Sequence, residues 1–360
     1  MTNFPATPIH VLVVDDSALV RTVLADMLGQ QPGMIVQVAA DPLIAIEKMK
    51  RFRPHVIVMD LEMPRMDGLT FLRKIMADDP IPVVVCSGHV DEGSASAFEA
   101  IAQGAVGIIA KPHVGVSEFL HDAEILIVDA VRSAAEAKVK RRREPMSAPL
   151  SAPPGAPKRT GPRALAADPV VAVGASIGGT EALERLLGAL PPGAPPMLIV
   201  QHMPAPFTAS FARRLNAACA IEVREARHGD VLHWGLALIA PGNRHLTLAR
   251  GTDALVVEVT DGALVTRHRP SVDVLFSSVA RVAASHGVGV ILTGMGTDGA
   301  AGLLEMHARG AHTLAQDEAS CVVFGMPHAA IARGAVDLVL PLDRIAAAIL
   351  DHAPARAPRA

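Results

Sequence analysis

The sequence predicts two α/β domains joined by a proline-rich linker. The first is a doubly wound, five-stranded parallel sheet; the second is an α/β domain with a mainly parallel sheet. Three observations lead there. Short apolar runs alternate with stretches of helical period on both sides of the chain's middle. Those runs are nearly unbroken, as in strands covered on both faces. One segment, Arg141–Pro162, breaks the pattern with six prolines and almost no large apolar side chains. It cannot bury a core, and its prolines favour extended conformations. The expected division is 1–138 for the first domain, 139–166 for the linker and 167–356 for the second domain.

In the first domain, strands rich in Val and Ile are expected at Ile9–Val14, Met34–Ala39, His55–Met59, Val83–Cys86 and Val106–Ala110. Helical spacing of apolar residues marks Ala18–Leu28, Pro42–Arg51, Leu69–Ala77 and Ser94–Gln103. A last helical pattern starts near Ser117. The basic run Lys138–Arg143 closes it, where cations meet the negative end of a helix dipole.

The second domain repeats the theme less regularly. Its strands are expected at Val170–Gly174, Met197–Val200, Leu236–Ala240, Val288–Thr293 and Asp337–Leu340. Helices are expected at Thr180–Leu190, Phe207–Ala218, Ser271–His286 and Gly299–Arg309, with candidate antiparallel hairpins across residues 221–268.

Composition narrows the function. In 360 residues, 50% are apolar and 19% charged, which supplies cores and excludes wholesale disorder. A net charge of −3 argues against binding nucleic acid along a broad face. The absence of Tyr and the single Trp argue against base-stacking platforms. Residues 168–360 contain no basic recognition helix of the helix-turn-helix kind. Cys86, Cys219 and Cys321 stand too far apart for a zinc spacing or a disulfide framework. No secretory signal is visible, and the apolar runs are far shorter than the 18 or more residues that span a bilayer. A cytoplasmic protein without membrane insertion is expected.

Chemistry collects at the strand ends. An open parallel sheet works beyond the carboxyl ends of its strands. In the first domain Asp15 and Asp16 follow the first strand, Asp60 the third, Ser87 the fourth and Lys111 the fifth. Clustered carboxylates repel unless a cation compensates, and a hard divalent ion such as Mg²⁺ suits them. Lys111 and Ser87 would complete a cradle for a phosphoryl group transferred to one carboxylate.

The motifs VVDDS, VMDLEMPRMDG and GAVGIIAKP resemble the receiver domain of two-component response regulators over roughly residues 8–135. That resemblance implies Asp60 as phospho-acceptor. It implies Asp16, Asp60 and the backbone carbonyl of Glu62 as Mg²⁺ ligands, with Asp15 close behind. It implies Ser87 and Lys111 as the phosphoryl contacts. Many receivers carry an aromatic residue where this chain has Ile108.

In the second domain the first strand runs into Gly174-Ala175-Ser176-Ile177-Gly178-Gly179. Small residues there permit a tight strand-to-helix turn, and the helix N-terminus can stabilise an anion. Taken alone, the loop suits either phosphate binding or a nucleophile. It is neither a P-loop nor the G-x-S-x-G elbow. Two other strands end comparably, in Gln201-His202-Met203-Pro204 and in Gly294-Met295-Gly296-Thr297-Asp298-Gly299. A serine, a histidine and an aspartate thus each follow a parallel strand. Histidine can take the serine proton at neutral pH, and aspartate can hold the imidazole tautomer. Asp298 alone would also serve as a cap for the helix after it. His228, His233, His245, His268, His286, His307, His312 and His328 have no comparable context.

GASIGG, QHMP and LTGMGTDGA together resemble the chemotaxis protein-glutamate methylesterases of the CheB type, over essentially the whole chain. The resemblance implies Ser176 as nucleophile, His202 as base, Asp298 as orienting acid and the Met295 N–H as oxyanion donor. Such enzymes commonly carry Thr where Ile177 stands. A phosphorylation-activated hydrolase follows, cleaving glutamate γ-methyl esters on cytoplasmic helices of chemoreceptors and deamidating specific glutamines. The implied partners are a histidine kinase as phosphodonor and the receptors as substrate. No cofactor is expected in the hydrolysis itself.

Overall fold

The computed structural model describes residues 8–88, 92–111, 117–139, 163–165 and 167–356. The proline-rich stretch 141–162 and Pro112 lie outside them. The chain divides into two compact units, 1–147 and 148–360.

The first unit runs β1 (Ile9–Val14), α1 (Ala18–Gly29), β2 (Met34–Ala39), α2 (Pro42–Met49), β3 (Val56–Met59), α3 (Gly68–Asp78), β4 (Val83–Ser87), α4 (Glu92–Ala102), β5 (Gly107–Ala110) and α5 (Ser117–Ala135). The strand order is β2-β1-β3-β4-β5, and every pair is parallel. All four side chains of β3 are buried, as a strand covered on both faces requires. The order reverses between β1 and β3, so the crevice of a doubly wound sheet opens there. Asp15 leaves β1 and Asp60 leaves β3 at that point. Local caps set the helix starts: Ser17, Asp41 and Asp67 each accept a backbone N–H of the first turn, and Pro42 opens α2.

The second unit contains β6 (Val170–Ala175), α6 (Gly179–Gly188), β7 (Met197–Gln201), α7 (Ala205–Ala218), β8 (Glu222–Glu225), β9 (Leu236–Ile239), β10 (His245–Arg250), β11 (Leu255–Thr260) and α8 (Val272–Val282). After a short 3-10 turn come β12 (Gly287–Ile291), α9 (Ala300–Ala308), β13 (His312–Gln316), α10 (Met326–Ala332), β14 (Leu338–Leu340) and α11 (Leu342–His352). The main sheet is ordered β14-β13-β12-β6-β7-β9-β8, with every pair parallel. β6 stands between β12 and β7, where the winding reverses, so their carboxyl ends form a second crevice.

Several details differ from expectation. The region 221–268 holds one antiparallel pair, β10 with β11, whereas β8 joins the main sheet parallel to β9. β8, β13, α10 and α11 are additional to the expected elements. The helix expected over Ser271–His286 breaks at Ala283 into α8 and the 3-10 turn. Arg163–Leu165, counted with the linker in the sequence, pack into the second unit. The Ala164 N–H donates to Leu232 O at 2.8 Å, its carbonyl accepts from Leu255 N at 2.9 Å, and its side chain is buried.

Helix α8 places much of the site. It buries Val272, Leu275, Phe276, Val279 and Ala280, one apolar stripe at helical spacing. Burying a side chain the size of Leu275 or Phe276 contributes roughly 1.5–3 kcal/mol. That anchors the helix with its N-terminus at the second crevice.

Candidate active site

Ser176 follows β6 on a turn held from several sides. Its N–H donates to Thr293 O at 3.0 Å. Its carbonyl accepts from Gly179 N and from Gln201 Nε2, both at 2.8 Å. Thr293 Oγ1 donates to Ile177 O at 3.0 Å, tying the turn to the end of β12. Gly178 caps α6 with φ +76°, and a Cβ there would lie 2.6 Å from Val322 Cβ. Only glycine meets both demands. A Cβ on Gly294 would lie 2.7 Å from Ser176 Cβ, so the two strand ends meet closely.

His202 follows β7. Ala175 pairs with Gln201 in the sheet, so Ser176 and His202 are next-door neighbours across two strands. The His202 N–H donates to Ala175 O at 3.0 Å, and Gln201 Nε2 also reaches His202 O at 3.1 Å. Asp298 is fully buried, and its Oδ2 lies 2.9 Å from His202 Nε2. The opposite ring nitrogen, Nδ1, is buried without a hydrogen-bond partner among the described residues.

Asp298 does cap a helix, but not the one after it. It accepts from Ser271 Oγ at 2.7 Å, Val272 N at 2.8 Å and Asp273 N at 3.1 Å, all at the start of α8. Burial works against its charge. The contacts with His202, and then those with Val272 and Ser271, outweigh burial and bring its pKa to about 2. An ionised carboxylate can only accept, so His202 presents a proton on Nε2, and the neutral form of that ring has its lone pair on Nδ1. Met295 follows Gly294, whose N–H donates to Val323 O at 3.0 Å and whose carbonyl accepts from Gly325 and Met326. That fixes the peptide from which the Met295 N–H projects.

The first unit gathers charges beyond its strand ends. Oxygens of Asp15, Asp16 and Asp60 all lie within 4.8 Å of one another. Lys111 Nζ stands 2.7 Å from Asp60 Oδ2 and 3.1 Å from Asp15 Oδ2. Burial raises the Asp15 pKa, against the Ser17 N–H and Lys111, which favour its charge. Burial likewise opposes the Lys111 charge, but Asp60 and Asp15 outweigh it and raise the Lys111 pKa. Ser87 is buried at the end of β4, its carbonyl accepting from Lys111 N at 2.9 Å. Glu62 is exposed beside them, and Ile108 is half-buried on β5.

Known proteins resemble this chain along nearly its full length. Protein-glutamate methylesterase/protein-glutamine glutaminase 2 of Oleidesulfovibrio alaskensis is 53% identical over 350 residues, 96% of this chain and 98% of the relative. The chain belongs to the CheB methylesterase family. The family's own pattern matches residues 171–349, and that of the response regulator receiver domain matches residues 11–137. Protein-glutamate methylesterase/protein-glutamine glutaminase 1 of Anaeromyxobacter dehalogenans is 55% identical over 345 residues, 95% of this chain and 98% of the relative. The crystal structure of the Thermotoga maritima CheB methylesterase catalytic domain is 36% identical. It covers 51% of this chain and 98% of its own, with a TM-score of 0.50.

For a CheB methylesterase the sequence reading overlooked several side chains. Gln201, Ser271 and Thr293 carry the hydrogen bonds described above. His268, which lies in none of the motifs, stacks on His202 with ring centroids 3.9 Å apart. The signal for Ser271 was readable: a serine just before an apolar run is an N-cap. Nothing local marks His268, because the contact joins segments 66 residues apart, an interval set by 202 and 268 in the numbering. At the Ile177 departure, the Thr293 hydroxyl bonds the Ile177 carbonyl while the Ile177 side chain is buried.

Proposed function

We propose that this chain is a phosphorylation-activated protein-glutamate methylesterase with protein-glutamine glutaminase activity. One observation carries the hydrolase reading. The ionised Asp298 holds the Nε2 edge of His202, leaving the Nδ1 lone pair uncommitted beside the Ser176 turn. Membership of the family supports the substrate class.

His202 Nδ1 takes the Ser176 proton as Oγ attacks the γ-carbonyl of a glutamyl methyl ester. Negative charge grows on the carbonyl oxygen, and the Met295 N–H meets it. His202 becomes an imidazolium, which the Asp298 carboxylate stabilises. It returns the proton to the leaving methoxide, and methanol departs from an acyl-enzyme. Water then attacks with the same base, releasing the glutamate side chain and free Ser176. A glutamine amide follows the same path with ammonia as leaving group. No metal has a role in these steps.

Asp60 is the proposed phospho-acceptor of the first unit. Three carboxylates share one small space beside a single lysine, so their negative charge exceeds what Lys111 supplies. This all-oxygen set fits Mg²⁺, which Asp16, Asp60, the Glu62 carbonyl and the nearby Asp15 would hold. When bound, the ion would neutralise charge on the incoming phosphoryl group. Lys111 and Ser87 would contact that group. The phosphodonor is a histidine kinase, and the substrates are cytoplasmic helices of chemoreceptors, which places the enzyme in the cytoplasm.

Methanol release from methylated receptor tests the reading. Wild-type protein should release it and Ser176→Ala should not. Equal release by both would overturn the assignment.

A further inference from the structure

We infer that His268 is a positioning residue for this reaction, its ring lying face to face on His202 and fixing the plane in which His202 works. The inference rests on the hydrolase reading above and adds a residue to it.

The two rings lie within 14° of parallel, with centroids 3.9 Å apart. A face contact leaves both edges of His202 available. Nε2 keeps Asp298, and Nδ1 keeps its lone pair. A single hydrogen bond at Nε2 does not fix the ring, because rotation about the Cβ–Cγ bond of histidine is soft. Such rotation would swing Nδ1 away from the serine, and small misplacements of a base are expensive in rate. A flat neighbour across the face removes that freedom and excludes water from the same side.

The backbone is shaped to deliver this ring. Val265 and His268 exchange both backbone hydrogen bonds, at 3.1 and 2.9 Å. The two residues between them, Thr266 and Arg267, have φ of +52° and +66°. Two consecutive left-handed residues that are not glycine are disfavoured, and such strain persists where surrounding structure demands it. Arg269 then bonds Asn243 Oδ1 and Gly262 O, and Ser271 to Asp273 clamp Asp298. The segment 265–273 thus touches both partners of the proposed proton relay.

The chemistry suits a ring that stays neutral. A neutral ring can stack on imidazole and on imidazolium alike, whereas a second cation would repel the latter. Burial, then the neighbouring His202, bring the His268 pKa to about 3; Asp298 opposes this and Arg267 adds to it. His268 Nδ1 is itself buried without a hydrogen-bond partner among the described residues, and the ring's face contact with His202 is what the structure shows for its place.

The test uses the full-length chain and a small methyl ester, with methylated receptor as a second substrate. His268→Ala should lower kcat roughly 10- to 100-fold and leave KM for the small ester within about twofold. His268→Phe, which keeps a flat face, should restore kcat to within about threefold of wild type. The low-field proton resonance of the N–H shared by His202 and Asp298 should persist in wild type and in His268→Phe. It should broaden by water exchange in His268→Ala. Should the alanine variant not fold, His268→Asn carries the same expectation. Wild-type kcat in the ring-less variant overturns the inference, as does a phenylalanine variant that is folded yet equally impaired. A rise in KM at constant kcat would make His268 a substrate contact and equally overturn it. Failure of Ser176→Ala to abolish hydrolysis would instead strike the underlying reading.

Discussion

Asp298 holds His202 by the Nε2 edge of its ring, at 2.9 Å, and leaves the Nδ1 edge open. In the familiar serine protease arrangement the aspartate takes Nδ1 and the serine faces Nε2. Here the aspartate takes the other nitrogen, Nε2. His202 follows β7 directly beside Ser176, and its far nitrogen reaches the carboxylate that caps α8.

Ser176→Ala should fold normally and lose roughly 10³-fold or more in methyl ester hydrolysis. His202→Ala should lose about as much, since the two act as a unit. Methanol release under saturating substrate measures both. A Ser176→Ala variant retaining a tenth of wild-type activity would end the nucleophile assignment.

Asp298 also ties stability to pH. Its carboxyl falls from the ordinary 3.8 to about 2 in the folded protein. A lowered carboxyl pKa adds stability that is fully present above about pH 4 and is lost as pH falls through about 2. The difference corresponds to about 2 kcal/mol. The chain's single tryptophan, Trp234, is buried in the second unit and reports its unfolding. Urea midpoints followed by its fluorescence should show wild type losing its advantage over Asp298→Asn between pH 4 and pH 2. A gap that stays constant to pH 2 would contradict the ionised state.

Asp60→Asn should stop labelling by a small phosphodonor in the presence of Mg²⁺, with the fold unchanged by circular dichroism. Labelling of wild type should need the ion and disappear with chelator. Persistent metal-independent labelling of the variant would remove Asp60 as acceptor.

Truncation separates two effects. A fragment starting at residue 160 keeps the two backbone hydrogen bonds of Ala164. One starting at 167 loses them, and it should melt roughly 5 °C lower. The longer fragment should hydrolyse ester faster than the unphosphorylated full-length chain and ignore phosphodonor. Equal or lower activity would mean that the receiver activates by adding something, not by releasing restraint.

Much of this was readable from residues alone. Parallel strands such as Val170–Ala175 announce themselves by unbroken apolar runs, and Ser176, His202 and Asp298 stand out because each follows such a strand. β8 was not readable, because Glu222–Glu225 is a polar edge strand with little apolar signal. β13 reads HTLAQ, which lacks a β-branched run although four of its five residues are buried. α10 is a seven-residue helix with a proline at its second position, too short for periodicity to show. The support of the site was hidden for another reason. Gln201 and His268 gain their meaning only when distant segments converge, and no local pattern encodes that meeting.

The clamp on Asp298 and the ring against His202 come from one stretch of chain, residues 265–273. Only two residues separate His268 from Ser271, so the interval behaves like a fixed gauge. Insertion or loss of one residue there would turn the helix start and the imidazole out of alignment together. Anyone grafting this catalytic centre onto another parallel sheet should therefore move the stretch as a single cassette, with its two left-handed residues intact, and not assemble the serine, histidine and aspartate as separate parts.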